Sequence, residues 1–372
     1  MPPLTMQRRK VTAALAGALV ALFAVPPSSM AAWGDTPRPP KTETAAKPWQ
    51  RQASGTENQL RGLSVVSPTV AWASGAKGTV LRTVDGKTWK RLPVPGAELL
   101  DFRDIHAVDA DTAFALSIGP GDSSRIYRTV DGGASWTLQV TNPDANGFWD
   151  CLAFWDRDNG IVFGDPVDGA YQILTTNDGG ATWQATVDPD GLKALPNEAA
   201  FAASGTCLSV AGTDDAWFAT GGGARARVFH SADRGRTWQA SDTPIPAGAG
   251  AKGVFSVGFR DSQVGLAVGG DYSDRHLATL NGARSEDGGA TWAPQQVLPV
   301  GYMSVVVPVT GAPDSFVAAG LAGSGYSLDA GRTWKVLDRT PVNTVGFASP
   351  AAGWAVGPKG LILKYAGPQL GK

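Results

Sequence analysis

The chain has 372 residues and a formal net charge of −1, with 32 Lys and Arg against 33 Asp and Glu dispersed along its length. That balance leaves no basic stripe, which argues against nucleic acid as a partner. Three histidines and two cysteines, well scattered, are too few for a clustered zinc site or an iron–sulfur centre, so no metal and no cofactor are expected.

In chain order, Arg8, Arg9 and Lys10 precede an apolar run from Val11 to Val25, and small residues follow around Ala31 and Ala32. Residues 1–32 therefore read as a secretory signal peptide, its apolar run too short to span a membrane. The paired arginines leave Sec and twin-arginine export both open. No cysteine follows the run, which excludes a lipoprotein anchor. Residues 33–46, within a stretch rich in Pro, Lys, Thr and Ala, read as a flexible linker. The remainder, residues 47–372, is expected to be an exported protein, periplasmic or secreted, monomeric and without a membrane span.

Beyond Thr83 one phrase, Ser/Thr-x-Asp-x-Gly-x-Ser/Thr-Trp, occurs six times. Its copies end at Trp136, Trp183, Trp238, Trp292 and Trp334, and a first copy, Thr83 to Trp89, is one residue short. The tryptophans lie 47, 47, 55, 54 and 42 residues apart, an interval that suits four short strands and their turns, one propeller blade. In the third unit the predicted strands are 149–155, 160–165, 171–177 and 182–187, bounded by Gly, Asp, Asn or Pro. The Asp-x-Gly of each phrase falls in the hairpin between third and fourth strands. There glycine supplies positive φ and the carboxylate accepts turn amides. After the sixth phrase only three strands remain, 342–348, 353–357 and 361–365. The fourth is found at the other end, where Pro48-Trp49-Gln50-Arg51-Gln52 resembles Thr88-Trp89-Lys90-Arg91-Leu92. The expected fold is all-β: a seven-bladed β-propeller of four-stranded antiparallel blades, the last closed by the N-terminal strand, which leaves no open edge in the ring.

These phrases resemble the Asp-box, or bacterial neuraminidase repeat, found in sialidases, some xyloglucanases, sortilin-type receptors and the photosystem II stability/assembly factor family. With Gly353-Trp354-Ala355-Val356-Gly357 and the single-domain, signal-bearing layout, the chain looks most like the assembly-factor family and its relatives in non-photosynthetic bacteria. The resemblance implies a non-catalytic scaffold, holding a periplasmic or membrane protein on one face of the ring. Some such relatives carry the label oxidoreductase, but the chain shows no cofactor motif. The sialidase pattern implies six blades and an Arg-Ile-Pro stretch, which the sequence lacks; the xyloglucanase pattern joins two propellers, and here there is room for one.

Asp85, Asp131, Asp178, Asp233, Asp287 and Asp329 of the phrases read as structural turn caps. The longer intervals place extra residues in 188–205, 245–253 and 270–277, all loops of the opposite face above blades three to five, where binding groups concentrate. The candidate binding residues there are Asp150, Asp165, Glu198, Arg225, Arg227, Asp271, Tyr272, Arg275 and Tyr302. Two carboxylates sharing a cavity could act as acid and base of a glycosidase on a glycan, and a tyrosine beside an acid would suit sialidase chemistry. The competing reading is an ion-paired rim that holds the loops in place. No catalytic residue is assigned. Gly221-Gly222-Gly223 leads into a strand and so lacks the helix N-terminus of a phosphate site. His106, His230 and His276 fall in different blades, and no Gly-x-Ser-x-Gly turn is present. Cys151 and Cys207 take like positions on neighbouring inner strands. An exported protein with two cysteines can form a disulfide, which the sequence leaves open; because inner strands diverge from the axis and the bond needs α-carbons within about 7 Å, they read primarily as buried small residues.

Overall fold

A computed structural model describes residues 47–277 and 280–371. The predicted signal peptide and linker lie outside the described residues. Seven four-stranded antiparallel sheets make the ring. Their inner strands are Leu60–Val65, Asp101–Ala107, Trp149–Phe154, Leu208–Ala211, Lys252–Phe259, Val305–Val309 and Thr344–Ser349, in blades 1 to 7. The third blade follows the expected pattern, with strands Trp149–Phe154, Gly160–Val167 and Ala170–Thr176. Its outer strand is shorter than expected, Gln184–Ala185. No helix among the described residues is long and apolar enough to cross a membrane.

Second strands such as Ala71–Gly75 and Ala352–Val356 are buried along their whole length. They lie between two neighbouring strands and two neighbouring blades, so their sequences read as apolar runs rather than alternating ones. Trp72, Trp217 and Trp354 are fully buried on them. The ring closes as expected. Trp49–Gln52 pairs antiparallel with Ile362–Tyr365, Trp49 opposite Tyr365. Trp49 packs against Tyr365 and Phe347, with ring centroids 5.3 and 6.0 Å away. Gln52 then ties blade 7 to blade 1: its Oε1 accepts Trp89 Nε1 and Trp354 Nε1, and its Nε2 donates to the Gly86 carbonyl.

The phrases form near-identical turns. Asp131 Oδ1 accepts Thr129 Oγ1 at 2.8 Å and the Ser135 amide at 2.9 Å, while Oδ2 accepts Ser135 Oγ at 2.5 Å. Asp178, Asp233, Asp287 and Asp329 repeat this set. The shortened copy keeps Asp85 Oδ1 as acceptor for the Lys87 and Thr88 amides. The second turn position is glycine in every full copy, for two reasons. Its φ is +81° at Gly133 and +84° at Gly331. A Cβ there would also lie 2.6 Å from Leu92 Cδ1 and 2.5 Å from Leu266 Cδ2, side chains of the preceding blade. The first position tolerates Arg234 and Ala330 at positive φ.

Around the axis, each inner strand is fastened to the next. Ser64 Oγ accepts the Ala107 amide, Asp104 Oδ2 the Leu152 amide, and Ser256 Oγ the Val306 amide. Between blades 4 and 5 the Val257 amide donates to the Thr206 carbonyl. Ser304 Oγ donates to the Asn343 carbonyl, and Asn343 Nδ2 donates to the Leu60 carbonyl, completing the circle. The remaining junction, blades 3 to 4, is covalent: Cys151 and Cys207 form a disulfide with α-carbons 6.1 Å apart. This corrects the expectation of two unlinked small residues. Both are fully buried, and Cys207 immediately precedes its inner strand, Leu208–Ala211, so the incoming loop brings its α-carbon within disulfide reach of Cys151. The bond closes a separation of 56 residues. Replacing both cysteines with alanine should lower the unfolding free energy by about 4 kcal/mol. The readout is the unfolding free energy from urea melts, the slope fitted for each protein because the cross-link also compacts the unfolded chain; an unchanged free energy would remove this link from the ring.

Candidate functional site

Four inner strands carry a register shift at the same place, skipping Arg61, Arg103, Asp150 and Phe255. In each case the residue before it is fully buried, Leu60, Phe102, Trp149 or Val254, while the skipped residue turns to the axis. A bulge re-aims one side chain without disturbing the strand that follows. A fifth shift, between Gly164 and Pro166 on the second strand of blade 3, re-aims Asp165. Together with Phe148, Phe201, Tyr272, Tyr302, Ser304 and Asn343 these side chains line an axial cavity of about 330 Å³. The strand directions put it at the end of the ring opposite the Asp-x-Gly turns.

The insertion at 188–205 forms one wall. Arg61 Nη1 donates to the Ala203 carbonyl and Arg103 Nη1 to the Ala202 carbonyl, both at 2.9 Å, so arginines of blades 1 and 2 reach across the ring to hold it. Ser204 Oγ donates to the Ser304 carbonyl of blade 6 at 2.7 Å. Phe201 stacks on Phe255 at 3.8 Å, with Tyr302 edge-on to Phe255 at 4.8 Å and Tyr272 at 5.9 Å. The cavity therefore combines two arginines with an aromatic cluster, and Tyr302 lies near both guanidinium groups.

The carboxyl groups between them are perturbed. Asp150 is 1% exposed and its Oδ2 has no hydrogen-bond partner. Burial, reinforced by the charge of Asp165, holds its pKa well above the usual carboxylate range. Burial raises Asp165 to about 6, against a hydrogen bond from the Ala200 amide that favours its ionised form. Burial also lowers the Arg61 pKa, helped by the nearby charge of Arg103, and raises that of Tyr302.

Of the residues expected from sequence, Asp150, Asp165, Tyr272 and Tyr302 line the cavity, and the others do not. Glu198 is buried against Arg227, which donates to it from Nε at 2.8 Å and from Nη2. It also accepts Thr220 Oγ1 and the Leu195 amide. This pair anchors the base of the insertion, where Arg227 Nη2 also reaches the Lys193 carbonyl. Arg227→Ala, which strands a buried carboxylate, should cost about 3 kcal/mol of stability in denaturant melts; a variant of unchanged stability would exclude the anchoring role. Arg225 makes an exposed ion pair with Asp242 at 2.6 Å. Asp271 accepts the Ser273 amide and hydroxyl and faces Lys252 at 3.8 Å. Arg275 is exposed, with its carbonyl accepting the Tyr302 amide. The histidines stand apart from the cavity: His106 is pushed down to about 4 by burial, and His230 pairs with Asp215 over Trp217.

Sequence reasoning missed Arg61, Arg103, Phe201 and Phe255. A signal for three of them was present. Leu60-Arg61-Gly62, Phe102-Arg103-Asp104, Trp149-Asp150-Cys151 and Val254-Phe255-Ser256 share the order apolar, variable, small. Asp150 thus had counterparts in other repeats. Among the described residues no cluster of three or more His, Cys, Asp or Glu could hold a metal ion.

No family model matches the chain. The photosystem II assembly protein Ycf48 of Synechococcus sp. (strain JA-2-3B'a(2-13)) is 27% identical over 328 residues, 86% of this chain and 89% of that protein. The xyloglucanase Xgh74A of Acetivibrio thermocellus is 26% identical over 250 residues, 58% of this chain but 28% of the enzyme. Among solved structures, YCF48 bound to D1 peptide superposes with a TM-score of 0.63 at 18% identity, covering 87% of this chain and 98% of that one. An ancestral GH74 enzyme gives 0.60 at 13% identity, over 86% of this chain and 46% of its own. The structural likeness establishes the propeller fold. The chain is similar to Ycf48 over nearly its full length and to the xyloglucanases over a minor part of theirs.

Proposed function

We propose that this chain is an exported, non-catalytic Asp-box propeller that holds a polypeptide partner over its axial cavity. The observation that carries this reading is the cavity itself: two bulged arginines and an aromatic cluster, walled on one side by an insertion that three other blades hold in place. Extended similarity to Ycf48 supports it, as does the D1 peptide bound by a YCF48 of the same fold. Placing the partner at the axis refines the expectation of a site above blades 3 to 5, since the loops of those blades reach inward. Export rests on Arg8, Arg9, Lys10 and the apolar run after them.

Tagged protein recovered from the exported fraction of its own host should co-purify with a specific protein, and Arg103→Gln should reduce that capture at least tenfold. Equal capture by the variant would remove the cavity from the interaction. A second reading, glycoside hydrolysis, has one observation in its favour: Asp150 and Asp165 share the cavity beside Tyr302. It requires turnover of a glycoside that Asp150→Asn abolishes.

A further inference from the structure

Partner capture leaves one feature of the cavity unexplained. Asp150 sits on a strand bulge, 1% exposed, with Oδ2 unpartnered, and Arg61 Nε is likewise buried without a partner. Leaving such groups unmatched costs roughly 1–3 kcal/mol each, so a site retaining both is shaped around something that satisfies them.

We propose that the axial cavity is a receptor for an apolar carboxylic acid, its carboxylate gripped by Arg61, Arg103 and the carboxyl O–H of Asp150, and its apolar body set against Phe201, Phe255 and Tyr302. The inference rests on the cavity being a binding site and names the chemistry it takes. Burial and the neighbouring charge of Asp165 push Asp150 toward its protonated form, in which its carboxyl presents a donor. Each guanidinium has five N–H groups; Arg61 commits one Nη to the Ala203 carbonyl, and Arg103 commits one Nη to the Ala202 carbonyl and its Nε to Asp101. The groups left over match the acceptor-only oxygens of a carboxylate. The aromatic cluster offers stacked and edge-on rings to an aromatic or branched aliphatic group. A cavity of about 330 Å³ is the size of a small-molecule site, enough for one amino-acid residue or an aryl-substituted acid.

Charge disfavours the alternatives. A cation would face Arg61 and Arg103, while a dianion such as phosphate would crowd Asp165 and leave the aromatic cluster unfilled. The groups facing the site are Arg61, Arg103, Asp150, Asp165, Tyr272 and Tyr302, with Asp101 paired to Arg103 at 2.8 Å. Asp104 is turned away, onto the Ile105 and Leu152 amides. The two arginines are balanced by Asp101 and Asp165, so protonating Asp165 leaves a surplus positive charge. A monoanion is therefore held more tightly on the acid side of Asp165's titration.

The same grip accepts a free carboxylic acid or the carboxyl end of a polypeptide. Calorimetric titration of the whole exported chain at pH 5.5 and 7.5 tests it, with four probes: 3-phenylpropionate, its amide, and acetyl-Ala-Ala-Phe with a free or an amidated C-terminus. At least one free carboxylate should bind tenfold or more tightly than its amide, and about tenfold more tightly at the lower pH. Binding of the small acid alone assigns a free metabolite; binding of the peptide acid assigns a chain end. Asp150→Asn, which keeps a donor, should retain binding, while Asp150→Leu and Arg103→Gln should lose it, circular dichroism confirming each fold. Equal affinity for acid and amide, competition by inorganic phosphate at equal strength, or no binding of either acid to folded protein overturns the proposal. If the probes bind but the host yields no protein partner, the partner-holding reading fails and the receptor stands.

Discussion

A variant lacking residues 47–52 should lose cooperative thermal unfolding and elute as associated species. The deletion strips the outer strand from blade 7, exposing the backbone of Ile362–Tyr365 as an unpaired edge, which templates pairing between copies. It also removes Gln52, which gathers two tryptophan N–H groups and the Gly86 carbonyl from blades 7 and 1. The milder change Trp49→Ala should cost about 3–5 kcal/mol, because the indole is 7% exposed between Phe347 and Tyr365 and the rigid sheet cannot collapse into the space. Adding back a peptide of residues 47–52 should partly restore the truncated form. A truncated protein that melts like the parent, as a single species, would show that the ring is stable without its closing strand.

The second large effect is on pH. Asp104 and Asp165 are raised by burial to about 8 and about 6, and Asp150 is raised as well. In the unfolded chain an aspartate ionises near about 4. Between that value and its folded value each group binds more proton in the native state, so its contribution to stability is present at acid pH and lost as pH rises. Each fully linked group contributes a slope of about 1.4 kcal/mol per pH unit within its window. The turn aspartates have the opposite sign. Asp131 and Asp178 are lowered to about 2 by their Ser135 and Thr182 partners, so their contribution is present above the unfolded value and is lost as pH falls through about 2. The melting temperature should therefore peak near about pH 4–5 and fall toward pH 8. Asp165→Asn should reduce the slope from pH 4 to 6, and Asp104→Asn should reduce it across the whole span from pH 4 to 8. A melting temperature that stays level from pH 4 to 8 would contradict the burial of these acids.

The chain itself determined the architecture. The Asp-x-Gly phrases act locally: each turn is closed by hydrogen bonds within a few residues, and their spacing counts the blades directly. Even the distant pairing of Trp49–Gln52 with Ile362–Tyr365 was legible, because a propeller one strand short has a single place for it. The cavity was only partly legible. Asp150, Asp165, Tyr272 and Tyr302 stood out as polar or aromatic residues near insertions, but Glu198 and Arg227 have the same appearance in sequence and are spent on each other. Arg61 and Arg103 sit in blades with no insertion, and only the ring brings them across the axis to Ala202 and Ala203. The disulfide was decided in the same way. Bulges, inter-blade distances and burial are properties of the assembled ring, set by how neighbouring sheets pack and not by the residues adjacent in the chain. Turns and strand periods are short-range physics that a sequence records in order; a cavity is the meeting point of six blades, and only tertiary packing selects which side chains arrive there.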